Sequence, residues 1–544
     1  MKKYISIIVA LLLALSFAAC SQNDSTPADP PAESQPAEEQ STDPETLTIA
    51  ISKDESTLTP YTYVTGTPGL EVLRLVYDSL FTLDSDGKII PWMIEDDYTV
   101  DADNKVYSMQ LKSDLKWHDG EALTAEDVKF TMEYPLEQNM SRWKKIANMI
   151  ESVDAKESGE ITITLKEGNP NFLREGLADM PIVAKHIYDG VADATTVADS
   201  IGSGIYKQLE YKTGEYYKFE AAENHFAGEV RVKNINMPIM TDSSSVSQAL
   251  IAGEIVASTG SIAPEVVETF KGVAGIEIME GSGFAPTMLA MNCERDELKD
   301  AKFRKAIDLA IDKERLVSTV TLGYAEVASP GFVSPDAAEF AGIEPEFNAT
   351  EANKMLDELG YTEKNSDGIR MNAGEAITFD ILVYSSSTGR IRAAELITED
   401  LKAVGIGATV NAMEADTVDN YMWPDFDVAN GRDFDLGMWG WSAPVQLNPA
   451  SVVSLGSSDP TKGNLNIGGY SDADYDALCE DYLSNSTTDG RAEISKKMQE
   501  KLADDALFSN LYRANIIAAA NTDVYDGWKI QKGTGLINVF SFLK

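Results

Sequence analysis

Apolar residues first recur regularly at Leu47. Leu47, Ile49 and Ile51 alternate with polar neighbours, a period of two that predicts a strand. Further along, the period lengthens. Phe303, Ala306, Ile307, Ala310 and Ile311 repeat at helical spacing behind Asp300, which predicts a helix with an aspartate N-cap. Ala352, Met355, Leu356 and Leu359 form a second stripe closed by Gly360; Ala393, Leu396, Ile397, Leu401 and Val404 form a third stopped by Gly405. Ile494, Met498 and Leu502 predict a late helix. Strands are predicted at Met288–Met291, around Thr409-Val410, at Asp435–Met438 and at Ile516–Ala519. Strands and helices interleave along the whole length, so the fold class is α/β. No internal repeat and no second linker appear, which predicts lobes joined by several chain crossings.

The N-terminus has a different pattern. Lys2 and Lys3 precede an almost wholly apolar run, Ile5 to Leu15, and Ala18-Ala19 lead into Cys20. This reads as a signal peptide over residues 1–19, too short for a comfortable membrane span. Its end resembles a bacterial lipobox, which implies that Cys20 is lipidated and becomes the new N-terminus. Phe17 stands where that pattern usually has leucine, and an ordinary secretory signal with an incidental Cys20 is the alternative. Residues 20–46 are expected to form a disordered tether. Ser21 to Glu45 holds five prolines and no Lys, Arg, aromatic, Ile, Leu or Val.

Composition narrows the function. The 544 residues carry a formal net charge of −43, a surface that repels phosphate backbones and excludes nucleic acid as a partner. The three cysteines, Cys20, Cys293 and Cys479, make no disulfide framework. Cys293 and Cys479 are expected as buried free thiols, with a pairing between them as the alternative. His118, His186 and His225 are too scattered to suggest a metal site, and no cofactor is expected. No G-x-S-x-G, H-E-x-x-H or P-loop occurs. Asp472 to Asp476 mimics a calcium loop but lacks its glycine and its terminal glutamate, so an enzyme or cation-binding module is not the expected reading.

Six segments carry a family resemblance. They are Leu75-Val-Tyr-Asp-Ser-Leu80 with Asp84 to Gly87 and Pro91; Leu115-Lys-Trp-His-Asp-Gly120 with Leu123-Thr-Ala-Glu-Asp-Val128; Gly202-Ser-Gly-Ile-Tyr206; Phe303-Arg-Lys-Ala306 to Ile311-Asp-Lys313; Leu401 to Ile406; and Phe434-Asp-Leu436 to Trp441. In this order they resemble the bacterial extracellular solute-binding proteins of family 5, receptors of ABC importers for oligopeptides, dipeptides and chelated nickel. The residues themselves read mainly as structure. Thr124 with Asp127 suits a helix start, Asp119-Gly120 a turn, and Trp117 a core position.

The resemblance implies a two-lobed, periplasmic-binding-protein-like clamshell of type II with an extra inserted domain. Lobe one is expected from 47–88, 200–283 and 506–544, the insert from 89–199 and lobe two from 284–505. It also implies a monomeric receptor, tethered outside the cytoplasm, that closes on a small solute and delivers it to a membrane permease. A peptide is the leading ligand. An oligosaccharide, or a sensor role without a dedicated permease, are the alternatives.

Candidate ligand residues follow from the same resemblance. Trp441, with Trp439 beside it, is expected to flank the cleft, with core burial as the alternative; alternation places both on one face. Thr65, Gly66 and Thr67 form an early loop suited to backbone contact with ligand. Phe284, Tyr512 and Arg513 lie where the chain should cross between lobes, with surface exposure as the alternative for Arg513; Asn292 ends a predicted strand, where a structural cap is the commoner role and ligand contact the alternative. After Trp441, the receptors that hold a free ammonium carry an aspartate. Here Ser442 to Pro449 contains no carboxylate, but it does contain Gln446 and Asn448, neutral amides that would suit a sugar.

Overall fold

The computed structural model describes residues 43–62, 69–138, 141–169, 171–284, 286–337, 339–441, 448–485 and 487–544. The strand predicted from Leu47 is Thr46–Ala50, with Leu47 and Ile49 buried. It lies in a five-stranded sheet in the order Ala257–Ser258, Thr46–Ala50, Asn234–Pro238, Tyr216–Ala221, Tyr206–Lys212. A four-stranded antiparallel sheet follows, with Val106–Gln110 and Glu160–Leu165 at its centre. One apolar cluster runs from Leu47 and Ile49 through Trp117 and Val128 to Ile161, so both sheets share a core. Thr124 opens the helix Ala125–Glu133 as expected: its N–H and its hydroxyl both donate to Asp127 Oδ2, each at 2.9 Å.

The second lobe is a six-stranded mixed sheet in the order Ala325–Val327, Phe508–Ala514, Pro286–Met291, Leu436–Gly440, Thr378–Tyr384, Gly407–Met413. Helices cover both faces. The three predicted stripes are the helices Ala301–Ala310, Ala349–Glu358 and Thr388–Ala403, which bury one face. Asp300 caps the first through a bond from Lys302 N at 2.8 Å. The late helix is Thr488–Asp505, on the opposite face. Cys293 and Cys479 are free thiols.

Two strands run side by side between the sheets. Ile276–Gly281 pairs antiparallel with Ile516–Asn521, and directly beyond them Pro286–Met291 pairs with Phe508–Ala514 in the six-stranded sheet. The expected start of the final lobe-one segment at 506 is therefore too early: Phe508–Ala514 is an interior strand of the second sheet, and the crossing comes at Asn515. The crossings touch closely. A Cβ on Gly283 would lie 2.1 Å from the Ala514 carbonyl oxygen, so only glycine fits there.

One buried acid opposes this packing. Glu71, in the helix Gly69–Val76, accepts from Gly260 N at 2.8 Å through Oε2, while Oε1 has no partner among the described residues. Burial pushes its carboxyl up to about 8. The folded value exceeds the unfolded one, so the folded state holds a proton that the unfolded state releases. Stability should therefore fall as pH rises from about 4.5 toward 8. Glu71→Gln is expected to flatten that decline and to stabilise the protein by about 1–2 kcal/mol at pH 7.5, read by urea denaturation at several pH values.

Candidate ligand-binding cleft

The strands Thr378–Tyr384 and Leu436–Gly440 run parallel, so their C-terminal ends emerge on the same edge. Thr287 pairs with both Gly440 and Tyr512, which brings the lobe crossings to that edge too. In α/β sheets this is where ligands gather. Tyr384, Gly440, Trp441 and Tyr512 meet there, and so does Arg390, from the first turn of the helix Thr388–Ala403.

Arg390 was not foreseen. Its guanidinium lies over the Tyr384 ring at 5.8 Å and so close to Gly440 that a Cβ there would meet its nitrogen at 2.6 Å. It has no carboxylate partner among the described residues. Burial lowers its pKa, with Tyr384 and Tyr512 opposing that effect, and an arginine stays charged regardless. A cation in the first turn of a helix also opposes the macrodipole. Its position is thus unfavourable twice over, and an anion placed against it would relieve both costs.

The expected residues fall into three groups. Thr65, Gly66, Thr67 and Gln446 lie outside the described residues. Trp439, Trp441 and Tyr512 reach the edge. Alternation held: both indoles lie on one sheet face, in mutual edge contact at 6.0 Å, with Trp423 5.5 Å from Trp441. Both are also core, 6% and 7% exposed, so any contact they make with a ligand is at a ring edge rather than across an open platform. Tyr512 is buried beside Arg390, and burial raises its pKa. Asn448 lies past the edge and bonds to the inserted region, as detailed below.

The third group is corrected by its contacts. Asn292 ends the strand Pro286–Met291 at the opposite edge, since Met291 pairs with Leu436, the first residue of its neighbour. There it donates to Phe434 O at 2.7 Å and accepts from Glu294 N at 3.0 Å, a buried cap. Phe284 anchors the crossing in lobe one, packed so tightly on Gly533 that a Cβ there would overlap its ring at 1.9 Å. Arg513 is buried against Glu326 at 2.7 Å and Ser334 Oγ at 3.3 Å, so its charge is already paired within lobe two.

Two of the three histidines, His118 and His225, are drawn together by folding, away from this edge. His225 Nε2–H donates to Asp78 Oδ2 at 3.2 Å, and its Nδ1 accepts from Ala227 N. His118 spans Gly204 O and Gly202 N. Trp92 Nε1–H and Ser203 Oγ–H complete the shell of Asp78, at 2.7 and 2.9 Å. Burial works to raise the Asp78 pKa, but His225, Trp92 and Ser203 together hold it below the ordinary carboxylate range.

The chain as a whole is similar to known proteins. The oligopeptide-binding protein AppA of Bacillus subtilis is 27% identical over 503 residues, 90% of each chain. The substrate-binding protein CtaP of Listeria monocytogenes superposes with a TM-score of 0.80 at 24% identity, covering 92% of this chain and 99% of that one. NikZ of Campylobacter jejuni, solved with Ni(L-His), gives 0.73 at 25% identity over 92% and 99% of the two chains. The sequence profile of "Bacterial extracellular solute-binding proteins, family 5 Middle" matches residues 88–463. The chain belongs to the bacterial extracellular solute-binding proteins of family 5, with their type II clamshell fold.

Proposed function

We propose that this protein captures a short peptide, or another small solute with a free carboxylate, and presents it to an ABC permease. The protein is a transport receptor and not an enzyme. One observation carries the ligand class: Arg390 is a half-buried cation at the cleft edge with no carboxylate partner among the described residues. Bidentate pairing with a carboxylate is the strongest bond such a group makes. The relative AppA, solved with a nonapeptide at 25% identity, supports the peptide reading. The missing aspartate after Trp441 argues against an ammonium anchor in that loop, so the ligand is held by its acidic end. A neutral oligosaccharide would leave Arg390 unpaired, and this makes it the weaker alternative. Native mass spectrometry of the protein as purified tests the proposal. A copurifying carboxylate-bearing peptide supports it, and a neutral glycan overturns it.

No helix among the described residues is long and apolar enough to cross a membrane. The attachment proposed is instead a lipid on Cys20, leaving a monomeric receptor free to move at the outer face of the membrane. Labelled palmitate should enter the wild-type chain and not Cys20→Ser. Equal labelling of the two would refute the anchor.

A further inference from the structure

Side chains of the second lobe touch the inserted region away from the crossings. Asn171 Nδ2 donates to Asn448 Oδ1 at 2.7 Å, and Asn448 Nδ2 faces Glu175 Oε2 at 3.5 Å. Arg491, on the helix Thr488–Asp505, donates to Gly168 O at 3.4 Å. The receiving segment is braced from its own side. Asn169 Nδ2 donates to Glu175 Oε1 at 2.5 Å, Asn169 Oδ1 accepts from Asn171 N at 2.9 Å, and Tyr107 Oη donates to Asn169 O at 2.6 Å. Leu173–Ala178 is a π-helical turn, a costly geometry that concentrates at functional sites. Arg174 in that turn also feels the attraction of Asp336 from the second lobe.

We propose that Gly168, Asn169 and residues 171–178 are the seat on which the second lobe docks when the cleft is shut, with Asn448 and Arg491 as the positioning residues. The hinge sets the axis of motion but does not hold the lobes together. Polar contacts away from it add a small closing energy that is lost on opening, and such contacts govern residence time rather than encounter. The bonds involved are amide–amide, amide–carboxylate and guanidinium–carbonyl. None buries much apolar surface, so the seat can release when the permease engages. In this arrangement the insert serves as a catch for closure.

The inference rests on the clamshell reading and needs no ligand identity. Hydrogen–deuterium exchange of the ligand-free full chain tests it, with substitutions made in one lobe and exchange read in the other. Asn448→Ala should raise exchange of the amides between Asn171 and Ala178 by about 3- to 10-fold, the effect of one net hydrogen bond on local opening. Asn448→Asp keeps the acceptor that Ala450 N uses at 3.0 Å and Asn171 Nδ2 at 2.7 Å but sets a carboxylate against Glu175, so it should raise exchange by less than Asn448→Ala. Arg491→Ala should act in the same direction, while Val106–Gln110 in the same inserted sheet stays unchanged. Unchanged exchange between Asn171 and Ala178 overturns the proposal, as does an increase spread evenly over the molecule. A neutral glycan found in the cleft would overturn the peptide reading and leave this result untouched.

Discussion

Arg390→Met is expected to weaken binding of the copurified ligand by about 2–5 kcal/mol, roughly 30- to several-thousand-fold, without destabilising the empty protein. The two halves of this expectation have one cause. The guanidinium is partly withdrawn from water, sits in a helix first turn and faces no carboxylate among the described residues, so folding gains little from its charge beyond the Tyr384 ring contact. Methionine keeps most of the stem volume and removes that cost. Bound ligand would lose its counter-charge. Arg370 is the contrasting case. It is more deeply buried, at 1% exposure, but it donates to Val404 O, Asp357 and Asn353, and its removal would strip a satisfied network. Isothermal titration calorimetry with urea denaturation separates the outcomes: loss of stability in step with loss of affinity would show Arg390 to be structural.

Asp78→Ala is expected to cost about 3–5 kcal/mol of stability, measured by urea denaturation at pH 7. The residue is 2% exposed and accepts from His225, Trp92 and Ser203, three donors on separate parts of lobe one. Alanine leaves all three buried without an acceptor. The pH dependence has a definite sign. The folded pKa is depressed below the unfolded value of about 3.9, so the contribution of Asp78 is complete above about pH 5 and is lost as pH falls through the folded value. Asp78→Asn should therefore lose less stability relative to wild type at pH 3 than at pH 7. A constant difference between those pH values would remove Asp78 from the account of acid unfolding.

Much of the second lobe was legible because its helices each bury one face, and one-faced burial writes a period into the sequence. Phe303 to Ile311 and Ala393 to Val404 are such helices, closed by caps with their own local chemistry. Strand edges were harder. Alternation correctly put Trp439 and Trp441 on one face, but in a central strand covered by helices on both sides either face is core, so the pattern could not tell ligand side from packing side. Asn292 took its commoner role, a structural cap, rather than the ligand contact, because nothing local says which end of a strand opens on a cleft. The Asp78 shell joins residues up to 147 positions apart, and only folding brings them together. Arg390 did leave a trace. A positive side chain in the first turn of a 16-residue helix is electrostatically out of place, and this could have been noticed without coordinates.

The paired crossings also constrain how the chain can be made. Ile276 has its partner at Asn521, and between the two lies nearly the whole second lobe. The tail that follows continues to complete lobe one: Gln531 bonds to Leu83 O, and Val230 bridges to Leu543 next to the C-terminus. Lobe one therefore cannot finish folding until synthesis is almost over, whereas the second lobe has all its strands in hand by Ala514. For a receptor of an extracytoplasmic family, this order is useful. A receptor whose first half waits for its last residues stays threadable while it leaves the cytoplasm, and it becomes a stable body only on the side where it works.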